Sequence, residues 1–124
     1  MLNEKQKFGE KSEFITAKYL SKKYGYKILE RNYRNRLGEI DIIAKDGDTL
    51  VFIEVKAART DAFGNPKWAV TPKKQRKISM IALYYLKSTG QSNTKARFDV
   101  VAIRFCNNKP IIEVVQNAFE LAYR

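Results

Sequence analysis

LGEIDIIAKDGDTLVFIEVKAAR, residues 37–59, reads as two strands folded about a tight turn. Its Ile, Val, Leu and Phe suit a pleated, buried surface, and Asp46-Gly47 is a preferred pair for a two-residue type I′ hairpin. Three charged residues, Asp41, Glu54 and Lys56, interrupt the apolar runs. With Asp46-Gly47 as the turn, Lys45 falls opposite Asp48, Ile43 opposite Leu50, Asp41 opposite Phe52 and Glu39 opposite Glu54. Asp41 is then the diagonal neighbour of Glu54, about 7 Å away between Cα atoms. Because strand side chains alternate, Glu39, Asp41, Glu54 and Lys56 share one face, while Ile40, Ile42, Val51, Ile53 and Val55 line the other as core.

Carboxylates crowded on a partly buried face repel one another, and their pKa values rise. A divalent cation removes that conflict. Magnesium takes hard oxygen ligands, usually one or two carboxylates completed by waters and phosphate oxygens. Asp41 and Glu54 suit that role as a pair. Lys56, on the same face, is placed to orient or deprotonate an attacking water, or to stabilise charge developing at phosphorus. The competing reading is a salt bridge from Lys56 to Glu54 or Glu39 at a wet strand end.

Outward from the hairpin, residues 4–24 lack proline and read as a helix stopped by Gly25. Glu13, Ala17, Leu20 and Tyr24 follow a 4-3-4 spacing and share a face, so Glu13 stands where an apolar residue is expected. It is either an acid stabilised by the helix dipole or a third carboxylate converging on the hairpin pair. YKILERNYR (26–34) is a strand, with Ile28 on one side and Leu29 on the other. A long loop follows over 58–71. Pro72 opens a second helix, 72–88, whose stripe is Ile78, Ile81, Ala82, Tyr85 and Leu86. RFDVVAIRF (97–105) and PIIEVVQ (110–116) are strands, and AFELAYR is read as a short closing helix. The order α-β-β-β-α-β-β predicts an α/β fold, one mixed sheet flanked by helices, in a single domain over 1–124.

Composition narrows the chemistry. The chain has 124 residues and no histidine, which excludes Ser-His-Asp and Cys-His catalysis within it. The single cysteine, Cys106, forms no internal disulfide, and there is no Cys/His cluster for zinc. No apolar run approaches the roughly 20 residues that span a bilayer, and the N-terminus shows no signal-peptide core. The expectation is a cytoplasmic protein with no membrane partner. Net charge is +11, and residues 1–98 hold 21 Lys/Arg against 10 Asp/Glu, while 99–124 hold three of each. An excess of that size favours polyanions, nucleic acid first.

An acid in the first helix, then Asp41, then Glu54-x-Lys56 on the next strand resembles the PD-(D/E)XK nuclease superfamily. GEIDIIAKDGDTLVFIEVKAAR is more particularly similar to the endonuclease-like YraN family, related to archaeal Holliday-junction resolvases. The likeness continues through SEFITAKYLSKKYGYKILERNYR, AFGNPKWAVTPKKQRKI and RFDVVAI. It implies a restriction-endonuclease-like domain in which Asp41 and Glu54, with Glu13, hold Mg²⁺ or Mn²⁺ and Lys56 is the catalytic lysine. Lys74 and Gln75 fall where related nucleases carry a polar residue at the start of the second helix. Ile40 stands in place of the superfamily proline, which is no ligand. Ser12 replaces a glycine common before the helix acid.

Further nucleic-acid contacts are expected from Arg31, Arg34 and Arg36 around the first turn, and from Lys73, Lys74, Gln75 and Lys77 on the second helix. Arg59 lies in the long loop with Phe63, Lys67 and Trp68, where the aromatics either stack on bases or anchor the loop. The expected function is metal-dependent hydrolysis of phosphodiester bonds in DNA rather than RNA, branched or single-stranded DNA included, by a monomer or homodimer. The alternative is a nucleic-acid-binding protein that keeps the nuclease fold without cutting.

Overall fold

In the computed structural model, residues 2–58 and 70–120 are described. Helix α1 (Glu4–Tyr24) begins with a capping box: Asn3 Oδ1 accepts from the Gln6 backbone N–H, and Gln6 Oε1 accepts from the Asn3 N–H. It ends at Gly25, whose φ of 71° is the left-handed cap that lets the chain turn back into the sheet. Strands β1 (Lys27–Asn35), β2 (Gly38–Asp46) and β3 (Thr49–Ala58) form an antiparallel meander. Helix α2 (Pro72–Ser88) belongs to the crossover to β4 (Ala96–Cys106), which runs parallel to β3, and β5 (Lys109–Phe119) closes the sheet antiparallel to β4. The strands lie in the order β1-β2-β3-β4-β5. The predicted α/β class and element order are those observed.

Each face of the sheet is covered by one helix, so alternate strand residues enter two separate cores. Ala17 and Leu20 of α1 pack with Tyr26, Ile42, Ala44, Val51, Ile53 and Val101. Ile78, Ile81, Ala82, Tyr85 and Leu86 of α2 pack with Ile43, Leu50, Phe52, Phe98 and Val100 on the other face. The face carrying Glu54 is therefore a second core rather than a polar surface. Ile40 belongs to the core under α2, not with Ile42 as expected.

The hairpin register differs from the expected one by two residues. Asp46 pairs with Thr49, Lys45 with Leu50 and Ile43 with Phe52, leaving Gly47 and Asp48 as the turn. Gly47 has φ 62° whereas Asp46 does not adopt a positive φ, so the two positive values of a type I′ turn centred on Asp46-Gly47 are not met. The β2–β3 ladder stops at Ile42↔Ile53, although β2 stays paired with β1 as far as Gly38. The sheet thus splits at the residues following Ile53.

Three smaller expectations also change. Tyr24 is exposed rather than turned inward. The pairing of β1 shifts register between Ile28 and Glu30, and Leu29 is left at the surface. AFELAYR is not a helix at its start: β5 runs through Phe119, which stacks on Phe98 at 4.8 Å between ring centroids. Residues 121–124 lie outside the described residues.

A polar cluster beneath α1 was not legible in the sequence. Asp99, 1% exposed, receives Arg97 Nε at 3.0 Å, the Tyr26 hydroxyl at 3.1 Å and the Asn117 N–H at 2.9 Å. Arg97 also reaches Asp46 at 2.9 Å, so this buried charge is paired and hydrogen-bonded as burial demands. Among the described residues no helix is long and apolar enough to cross a membrane.

Gly38, at the start of β2, is required by a close approach. Its φ is 146°, and a Cβ there would lie 2.8 Å from Ile81 Cδ1. Gly38→Ala should cost about 1–3 kcal/mol through backbone strain and overpacking against α2. Denaturant melts of the two proteins measure this directly, and an unchanged midpoint would show that the contact yields freely.

Candidate active site

Where β2 leaves β3, side chains take over from the backbone ladder. The Val55 N–H, with no β2 carbonyl opposite it in the ladder, donates to Asp41 Oδ2 at 2.8 Å. This bond fixes the Asp41 carboxylate beside the residues that follow Ile53. Glu54 and Lys56 continue the face of Leu50 and Phe52 beyond the end of the apolar core. The first turn of α2 closes the other side. Thr71 Oγ1 caps that helix by accepting from the Lys74 N–H at 3.2 Å, which aims Lys74 back at the sheet.

Lys74 Nζ lies 2.9 Å from Glu54 Oε1, and Lys56 Nζ lies 3.9 Å from the same oxygen. The Glu54 side chain is 11% exposed. A cleft of about 260 Å³ runs between sheet and helix, lined by Asp41, Glu54, Lys74, Lys77, Glu39 and the apolar edge of α2.

The electrostatics of the cleft are strained. Asp41 is pushed up to about 7, first by burial and then by the Glu54 and Glu13 carboxylates, against the Val55 hydrogen bond and the Lys74 charge. Lys56 is lowered, by burial and by the adjacent Lys74 ammonium. Burial works most strongly against the charged form of Lys74, but its hydrogen bond and charge attraction to Glu54, with Lys56 and Asp41, together raise it overall. The tight ion pair of the site is therefore Lys74–Glu54. Lys56 is the cation held beside it without a short contact to Glu54.

Glu13 approaches from α1, across the split in the sheet. Burial raises its pKa, Arg31 lowers it, and Glu39, Glu10 and Glu54 raise it further. Its Oε1 is buried and has no hydrogen-bond partner among the described residues. An orphaned carboxylate oxygen is costly unless a cation or water satisfies it. Together with Asp41, which burial and then the neighbouring carboxylates drive toward protonation, this donor set has the hard oxygen chemistry that Mg²⁺ or Mn²⁺ takes. Among the described residues no three acidic side chains already stand in a closed cage.

The other expected contact residues are scattered over several settings. Lys77 lines the cleft, and Lys73 is exposed on the first turn of α2. Gln75 turns away: its side-chain amide donates to the Val70 carbonyl at 3.0 Å and secures the entry to α2. Arg34 pairs with Glu39 at 2.8 Å, Arg36 lies 6.0 Å from the Tyr84 ring centre, and Arg31 lies 5.5 Å from that of Phe14. Arg59, Phe63, Lys67 and Trp68 lie outside the described residues. Lys74 is the residue whose place the sequence left least defined. It joins the acid cluster rather than an outer basic surface.

Residues 12–103, from the α1 acid to β4 and including every side chain of the cleft, match the uncharacterised protein family UPF0102. The chain belongs to that family. A UPF0102 protein of Desulfosudis oleivorans is 51% identical over 120 residues, covering 97% of this chain and 95% of the relative. One from Syntrophus aciditrophicus is 52% identical over 115 residues, covering 93% and 90% respectively. The Geobacter sulfurreducens UPF0102 protein GSU0650 is 51% identical over 116 residues, at 93% and 90% coverage. The YraN-like resemblance of the sequence holds at the level of UPF0102.

Proposed function

We propose that this UPF0102 protein is a metal-dependent nuclease of the PD-(D/E)XK superfamily, hydrolysing phosphodiester bonds in DNA. The observation that carries the reading is Asp41, a carboxyl held at about 7 beside Glu54 at the mouth of a cleft bordered by lysines. Such a group is unfavourable for stability alone and suits a site that takes up a cation. Asp41 and Glu54, with Glu13, would hold Mg²⁺ or Mn²⁺, which supplies Lewis-acid activation of water and neutralises charge on the phosphate.

The chain's own residues supply the remainder. The Val55 N–H keeps one Asp41 oxygen in place, so the other is free to face the cleft. Lys56, with its lowered pKa, is suited to accept or share a proton of the attacking water, or to stabilise charge on the phosphoryl oxygens. Lys74 and Lys77 line the cleft and would offer positive charge to the strand being cut. The site needs no histidine for these steps.

A second reading, a nucleic-acid-binding protein without cleavage, is favoured by one observation: Lys74 already neutralises Glu54 internally. A cleavage panel of duplex, flap, junction and single-stranded substrates with Mg²⁺ or Mn²⁺ decides between the two. Cutting that requires the cation and disappears in Asp41→Asn supports the nuclease. Binding without cutting on every substrate supports the alternative. In both cases oligonucleotide affinity should fall by about 20- to 50-fold between roughly 50 and 150 mM salt, as expected for three or four neutralised phosphates. Fluorescence anisotropy across that range checks it, and an affinity indifferent to salt would remove nucleic acid as the ligand.

A further inference from the structure

Helix α1 presents a second surface, on its outer side. Lys11, Phe14, Lys18 and Lys22 recur at spacings of three, four and four, which keeps them on one narrow face at about 100° per residue. All four are exposed. Phe14, at 54%, is the most exposed large apolar side chain among the described residues, although Ala17 and Leu20 of the same helix are buried. Two cations lie over its ring, Lys18 Nζ 5.9 Å and Arg31 Cζ 5.5 Å from the centroid, and a stacking base would take their place as they turn to its phosphates. An open hollow of about 440 Å³ lies among Phe14, Lys18, Lys22 and Arg31, with Ile28 in its wall.

An exposed ring bracketed by cations is the arrangement that binds an unpaired nucleotide, with the ring stacking on a base and the cations taking adjacent phosphates. A lipid surface calls for a broad continuous apolar face, whereas here the helical neighbours of Phe14 on the exposed side are Glu10, Lys11 and Lys18. The surface also adjoins the helix acid Glu13. Phe14 follows Glu13 directly, and the Arg31 charge that acts on the Glu13 carboxyl belongs to the same guanidinium that lies by the Phe14 ring.

We infer that this face of α1 is a stacking platform for an unpaired base, with Lys18, Lys22 and Arg31 holding the flanking phosphates. The inference rests on the nuclease reading and deepens it: the substrate class is nucleic acid with unpaired bases next to the bond to be cut. A blunt duplex has no free base face to offer Phe14.

The test is made without divalent metal, so that binding is measured apart from cleavage. A single strand containing 2-aminopurine reports stacking by fluorescence quenching, and anisotropy gives the affinity for that strand and for a blunt duplex. Phe14→Ala should weaken single-strand binding by about tenfold and abolish the quenching, with duplex affinity changed less than twofold. Phe14→Leu, which keeps an apolar side chain but no ring, should behave the same way. Lys18→Ala should weaken both ligands. The platform is refuted if both Phe14 variants bind the single strand like the parent, or lose single strand and duplex in equal measure. It is equally refuted if they lose only binding to phosphatidylglycerol vesicles. A refuted platform beside Asp41-dependent cleavage leaves the nuclease standing. An intact platform without cleavage removes the nuclease alone.

Discussion

Asp41→Asn should make the metal-free protein more stable at pH 8 while abolishing its response to Mn²⁺. The carboxyl of Asp41 ionises at about 7 in the folded chain, above its ordinary value of 3.8. The folded state therefore holds that proton more tightly than the unfolded state does. Ionisation costs nothing below about pH 3.8, its cost grows as pH rises to about 7, and it is constant beyond. Asparagine carries no charge at any pH, and its amide oxygen can still accept from the Val55 N–H. The variant should gain on the order of 2–4 kcal/mol at pH 8, a rise in Tm of about 5–15 °C, and should match the parent near pH 3.5. Metal reverses the order. Excess Mn²⁺ should raise the parent's Tm by mass action, while the variant, having lost one of the site's carboxylates, binds about 100-fold more weakly and shifts little. Thermal melts at two pH values, with and without Mn²⁺, and calorimetric titration measure all of this. If the variant is instead less stable at pH 8 and Mn²⁺ moves both proteins alike, the hairpin acids serve structure.

The sequence placed these acids on one face through a register that was wrong by two residues. The face survived because strand side chains alternate with a period of two, so a shift of two keeps the inward and outward assignments of the paired residues, Ile40 beyond the end of the ladder being the exception. A shift of one would have put Asp41 and Glu54 on opposite sides. Local signals also set both helices correctly: Pro72 and the Ile78–Leu86 stripe for α2, and the proline-free run stopped by Gly25 for α1. What failed was non-local. AFELAYR has helical residues, but stacking of Phe119 on Phe98 draws its start into β5. The Arg97–Asp99–Tyr26 cluster joins residues more than 70 positions apart. Lys74 is only 20 residues from Glu54, yet their contact exists because α2 packs across β2 and β3, which no local pattern announces. Sequence could mark Lys74 as basic and near a helix start. Only the crossover makes it the partner of Glu54.

That partnership determines what removing Lys56 should do. Were Lys56 a structural counter-ion, Lys56→Met would strand the largely buried Glu54 charge and destabilise the fold. The geometry argues otherwise, because Lys74 makes the 2.9 Å bond and Lys56 stands at 3.9 Å, lowered by burial and then by its like-charged neighbour. Methionine keeps much of the apolar stem of Lys56, so packing is preserved while the repulsion between the two ammonium groups disappears. Tm should stay within about 2 °C of the parent or rise. Oligonucleotide affinity should weaken by no more than one phosphate contact. Cleavage should fall by 100-fold or more, the loss typical of a positioned group that acts mainly on transition-state charge. Lys74→Met should show the complementary pattern, with a lower Tm from the unpaired Glu54. Measuring melting, binding and single-turnover cleavage on the same preparations separates the two lysines. A Lys56→Met protein that melts early yet cuts normally per folded molecule would assign Lys56 to the salt bridge and leave the catalytic role without a holder.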